Sequence, residues 1–261
     1  MATVSYPSIS TESAHECKVS PHQVLPMEDA AATTPVILHD HDETGPQSSI
    51  ITQSRMNEKS EQTEQRLEKM RGAVRTLLEC IGEDPDREGL QATPLRYAKA
   101  LLFLTEGYQS DITTVLNGAL FSHEGHASEM VIVKDIEIYS LCEHHLVPFM
   151  GKIHIAYLPH KTLIGLSKLP RIAEMFARRL QIQERLTRQI AHAIMDHILP
   201  RGVMVVMESS HLCMEMRGVE KSGSRTVTSF ALGCFQQEQL GGGIGRAELR
   251  GEFWRGVGLG K

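Results

Sequence analysis

Residues 135–157, "DIEIYSLCEHHLVPFMGKIHIAY", decide how the chain is read. Both ends alternate polar and apolar residues, with Ile136 and Ile138 in the first and Ile153, Ile155 and Tyr157 in the second. Period-two alternation is the mark of a strand with one face buried. Two strands therefore flank "CEHH" at 142–145, which lies in their connection, where a scaffold presents functional groups.

Working outward, the periods lengthen on both sides. Upstream, Leu67, Met70, Val74, Leu77, Leu78 and Ile81 recur at three- and four-residue steps, predicting an amphipathic helix from near Glu58 to Gly82. "ATPLRYAKALLFL" predicts a second, with Thr93 as N-cap, Pro94 at the first helical position and Ala98, Leu101 and Leu102 facing inward. Downstream, Leu169, Ile172 and Phe176 share one face, and Leu186, Ile190, Ile194 and Ile198 repeat every fourth residue, so two helices meet around Gln181 to Gln183. "PRG" at 200–202 stops the second helix, and "GVMVVMESS" and "SRTVTSFALGCF" read as two further strands. Helices, strands, two helices, then strands is an α+β order with an antiparallel sheet, not alternating βαβ units.

Composition bounds the rest. The chain has 261 residues, 41% of them apolar, enough to bury a core, and no run of apolar residues long enough for a membrane span. Residues 1–57 form an acidic, Ser/Thr-rich tail without sustained apolar period, expected to be disordered, and "HDHDE" at 39–43 within it reads as solvated charge. Lys18 is the only Lys or Arg before Arg55, which fits neither a secretory signal nor a mitochondrial presequence, so a cytoplasmic protein is expected. A net charge of -5 gives no reason to expect nucleic acid as a partner. The folded part is expected over residues 58–235, and 236–261 as a Gly-rich, loose extension with at most a helical turn around Glu248 to Trp254.

Five cysteines scattered along the chain do not form a disulfide framework and suit reduced thiols available to a metal. Cys142 and His145 have ligand spacing, and "SSHLCMEMRG" adds His211 and Cys213, expected on the same side of an extended segment. Cys142, His145 and Cys213 make a Cys2His set for Zn2+ with a fourth position open, the arrangement of catalytic zinc. His144 and His211 remain beside the ion as proton carriers. Cys80 and Cys234 lie in apolar patterns and read as core, His154, His192 and His197 read as surface, and Glu143 is open between a ligand and an acceptor behind the ligands.

"GLSKLPRI" puts Lys168 and Arg171 in the first turn of a helix preceded by Ser167. Cations there oppose the helix dipole, and an anionic ligand such as phosphate supplies a reason; chance surface charge is the alternative. Arg217 and Arg96 are further cation candidates.

"LCEHHLVPF", "IGLSKLPRIAEMFARRLQIQERLTRQIA", "SSHLCMEMRGV" and "SRTVTSFALG", in this order, resemble GTP cyclohydrolase I. The resemblance implies the tunnelling fold and conversion of GTP and water to formate and 7,8-dihydroneopterin triphosphate, which opens pterin (tetrahydrobiopterin or folate) biosynthesis. It also implies a toroidal homodecamer of two stacked pentamers with active sites at subunit boundaries. By match to the family's motifs, Cys142, His145 and Cys213 hold zinc, and His144 and His211 are the catalytic histidines. Ser167 is matched to the ribose and triphosphate contacts and takes part in proton transfer, and Glu184 reads the guanine ring with Gln183 beside it. Lys168, Arg171 and Arg217 meet the ribose and triphosphate, and Arg96 comes from a neighbouring subunit. Two other readings are a non-catalytic, zinc-stabilised regulatory paralogue and a related tunnelling-fold enzyme acting on another purine or pterin. The tail and the stretch "EQLGGGIGRAELRG" depart from the family, and any regulatory partner is unnamed.

Overall fold

A computed structural model describes residues 58–122, 129–236 and 245–259. The expected tail, residues 1–57, lies outside them. Elements follow in chain order: α1 (Ser60–Cys80), α2 (Thr93–Leu104), α3 (Ile112–Leu116), β1 (Leu120–Ser122), β2 (Val131–Cys142), β3 (Pro148–Leu158), β4 (Thr162–Ile164), α4 (Lys168–Ala177), β5 (Leu180–Gln181), α5 (Gln183–Ile198), β6 (Gly202–His211), α6 (Leu212–Glu215), β7 (Thr226–Gly233) and α7 (Arg246–Val257).

The four long strands form the expected antiparallel run β2-β3-β6-β7. The sheet is nonetheless mixed: β5 adds to the edge of β2 in parallel, through Leu141 with Leu180 and Cys142 with Gln181. A separate pair, β1 with β4, was not legible because three residues show no period. α2 begins at Thr93 with Ala92 as its N-cap, so Pro94 stands one position further in than expected. α5 ends where Leu199 turns left-handed just before Pro200.

One face of the sheet carries Ile138, Ile153, Ile155, Tyr157, Val203, Val205 and Met207, packed against α4 and α5 through Leu169, Ile172, Phe176, Leu186, Ile190 and Ile194. That cluster also holds Cys142 and Cys213, so the main core backs the site. The second face was expected to meet solvent, and it does not. Ala156, Leu158, Met204 and Val206 point the other way and are covered by Leu249, Phe253 and Val257 of α7. Arg246–Val257, expected to be loose apart from a helical turn, is thus a docked helix, and Lys134 donates to the Gly256 carbonyl at its end.

On that same face His154, the cross-strand partner of Val206, is 4% exposed, which corrects its reading as a surface histidine. A register shift between Val133 and Ile136 makes a β-bulge in which Asp135 turns to positive φ. There the Asp135 N–H donates to His154 Nδ1 at 3.2 Å, and the Asp135 carboxylate pairs with Lys152 at 2.9 Å. Burial pushes the His154 imidazole below its ordinary value, against the pull of Asp135.

α1 packs on α2 but buries none of its own residues, and Leu77 and Ile81 remain 60% and 73% exposed. Cys80 is exposed with them, contrary to its expected place in a core.

Candidate metal centre and active site

Cys142 ends β2, and the turn after it is closed at both ends: Leu146 N–H donates to Cys142 O and Cys142 N–H to Val147 O. Leu146 takes a left-handed conformation to make that turn. The turn sets His144 and His145 outward, both exposed, with their rings edge to face. From β6 the chain turns into the single turn of α6, which presents Cys213. His211 therefore ends a strand while Cys213 sits in a helical turn, so the expected alternation along one extended segment is not what brings Cys213 to the site.

The ligand atoms of Cys142, His145 and Cys213 all lie within 4.8 Å of one another. Tetrahedral zinc with bonds of about 2.0–2.3 Å sets its ligand atoms roughly 3.3–3.8 Å apart, so small side-chain movements close this group on an ion. The donor set fits too, since two sulfurs and one imidazole suit zinc and exclude calcium or magnesium. Burial and the adjoining Cys142 thiol push the Cys213 thiol up, while Arg217 pulls it down. Two thiols placed so close in a buried position gain from a cation between them as thiolates. Cys80 and Cys234 take no part in this group.

Glu143 is resolved by a partner that the sequence did not reveal. Its carboxylate pairs with Arg185, which also donates to Leu180 O at 2.9 Å and Gln181 Oε1 at 3.0 Å. Glu143 thus braces the ligand turn against the start of α5. No local spacing signals a contact across 42 positions.

His144 Nδ1 lies 3.7 Å from Cys142 Sγ. The His211 ring stacks on Phe149, its direct cross-strand partner, with centroids 4.6 Å apart and planes 3° from parallel. Burial pushes the His211 imidazole down and Glu184 pulls it up. Glu184 is exposed in the first turn of α5, whereas Gln183 beside it is buried.

Among the cations, Arg171 and Arg217 are exposed, and Ser167 precedes α4 without capping it through its side chain. Lys168 departs from the picture of a free surface cation: it is 8% exposed and its Nζ donates to Val115 O at the end of α3, 2.9 Å away. Arg96 sits on α2 and bonds within its own turn, to Thr93 Oγ1 at 3.3 Å.

Residues 70–241 match the family model described as GTP cyclohydrolase I. A Neurospora crassa protein named GTP cyclohydrolase 1 is 66% identical over 188 residues, which are 72% of this chain and 59% of that protein. Its namesake from Saccharomyces cerevisiae is 58% identical over 189 residues, 72% of this chain and 77% of the relative. The namesake from Dictyostelium discoideum is 59% identical over 172 residues, 66% of this chain and 73% of the relative. Among solved structures, an archaeosine synthase QueF-like protein overlays 42% of this chain and 97% of its own at 14% identity and a TM-score of 0.35, a likeness too slight to argue from. With its motifs in order and identities far above chance over most of its length, the chain belongs to the GTP cyclohydrolase I family.

Proposed function

We propose that this protein is a zinc-dependent GTP cyclohydrolase I that converts GTP and water to formate and 7,8-dihydroneopterin triphosphate, the first step toward tetrahydrobiopterin or folate. The observation that carries the reading is the convergence of Cys142, His145 and Cys213 within 4.8 Å, with two histidines left over beside them. A structural zinc site takes four protein ligands and has no use for spare imidazoles; a catalytic one keeps a position open. Zinc held by these three residues supplies a Lewis acid that makes water a usable nucleophile near neutral pH.

The chain's own groups do the rest. His211 gives a proton to guanine N7, which draws electron density from C8 and lets water add there. Glu184 accepts hydrogen bonds from N1–H and the 2-amino group, a pattern that adenine lacks. Ser167, Arg171 and Arg217 receive the ribose and triphosphate. Lys168 joins them with the N–H bonds that Val115 does not use. His144 and Ser167 move protons during ribose opening and reclosure to the pterin. Arg96 reaches the site of a neighbouring subunit, and residues 58–235 form the catalytic domain.

Assembly into a toroidal homodecamer of tunnelling-fold subunits is supported by what the described residues of one chain leave uncovered. The apolar stripe of α1 has no buried residue, and β7 ends the sheet with Val227 52% exposed. No described helix is long and apolar enough to cross a membrane, and we place the protein in the cytoplasm.

Zinc-loaded protein incubated with GTP tests the reading. One formate per GTP consumed, with neopterin fluorescence after oxidation, is expected; GTP left intact by fully metallated protein overturns it.

A further inference from the structure

Gln183, the first residue of α5, has every hydrogen-bonding group of its side chain engaged. Its Nε2 donates to the carbonyl oxygens of Met207 and Thr226, each at 3.0 Å. Its Oε1 lies 2.5 Å from Ser209 Oγ and 2.8 Å from His211 Nε2. Carbonyl oxygens only accept, so the two main-chain oxygens dictate which end of the amide is nitrogen. The oxygen must then face Ser209 and His211, and because it only accepts, both of these must donate. His211 therefore carries its proton on Nε2, and Nδ1 is the ring nitrogen left for other chemistry.

Phe149 supplies an independent constraint. Its stack on the His211 ring fixes the plane of the imidazole, while the bond to Gln183 fixes rotation within that plane. Gln183 and Ser209 are each 1% exposed, which keeps water from standing in for either. Gly151 makes room for this arrangement: a Cβ there would lie 2.7 Å from Ser209 Cβ and 2.0 Å from Glu208 O.

The geometry points to Gln183 as a positioning residue that holds His211 in one orientation and one tautomer, and not as a contact of the guanine ring. With two donors and both oxygen lone pairs spent inside the protein, the amide has nothing left to offer a substrate. Glu184, exposed on the adjacent helix position, is left to read the base. The inference rests on the reading of His211 as the acid of the GTP reaction, but its structural half is measurable without turnover.

Two measurements test it. In histidine-15N-labelled, zinc-loaded protein at alkaline pH, the His211 resonance, identified by its loss in His211→Ala, is expected at the shift of an Nε2–H tautomer by solid-state NMR. An Nδ1–H tautomer overturns the inference even if GTP is turned over normally. In Gln183→Leu, zinc content is expected to hold and kcat to fall by about 10- to 100-fold, the range seen when a partner orienting a functional side chain is removed, with KM for GTP little changed. A raised KM with kcat intact would make Gln183 a substrate contact and overturn it. If that variant does not fold, the wild-type tautomer still decides. Absence of GTP turnover in the wild type would instead refute the catalytic reading and leave the tautomer result standing.

Discussion

Substituting Phe253 by alanine tests the covering of the second sheet face most sharply. Phe253 is fully buried, between Leu249 at 1% and Val257 at 8% exposure, and these are the three buried residues of α7. Truncating a buried phenylalanine typically costs about 3–5 kcal/mol. Because α7 is held from one side by a few side chains, much of that loss should fall on docking of the helix, and about 3 kcal/mol shifts such an equilibrium roughly a hundredfold. Trp254 is the only tryptophan in the chain, and its ring lies 5.8 Å from that of Phe253, so it reports on this helix alone. Phe253→Ala is expected to move Trp254 emission to the red and to speed amide exchange across Arg246–Val257. Zinc content and formate release are expected to hold, since α7 and the ligands occupy opposite faces of the sheet. Unchanged emission and exchange would mean that Phe253 does not anchor the helix. Loss of zinc in this variant would refute the independence of the two faces.

Two further outcomes follow from the same structure. Burial disfavours the charged form of His154 in the fold, where Nδ1 accepts from Asp135, whereas the unfolded chain takes up a proton there as pH falls below about 6.5. The unfolded state then binds more protons, so this contribution to stability is full above that pH and drains on acidification, by at most about 1.4 kcal/mol per pH unit. His154→Asn, which keeps an acceptor without the titration, should flatten that limb in denaturant melts; an identical slope would remove His154 as its source. Glu184→Ala should weaken GTP binding and erode discrimination against ATP, by about 1–3 kcal/mol for the lost base contact. GTP affinity equal to that of the wild type would take Glu184 out of guanine recognition.

The long elements were legible because their periods are long. Ile136 to Tyr157 declared two strands, and the fourfold repeat from Leu186 to Ile198 declared α5. The grouping of Cys142, His145 and Cys213 was legible because chemistry restricts which residue types suit a metal ion at such spacing. Period alone does not say what covers a face. His154 read as polar-facing, yet it is 4% exposed, paired with Val206 on the sheet face that α7 covers; α1 read as apolar on one side, yet none of its residues is buried among the described residues. Cys213 does lie with Cys142 and His145, but through a helical turn and not the expected extended segment, since one turn of helix is too short to show a period. The bonds of Gln183 to Met207, Ser209, His211 and Thr226 span 24 to 43 positions, and nothing local marks them.

The proposed reaction divides labour within one short stretch: Cys213 would hold metal, and His211, two residues earlier, would move protons. Zinc content and formate yield measured on the same preparations of Cys213→Ser and His211→Ala test it directly. Cys213→Ser should lose zinc and activity together, whereas His211→Ala should keep its zinc and lose turnover by about 100-fold or more, as expected for a general acid. Equal loss of zinc in both variants, or full turnover in His211→Ala, would contradict it.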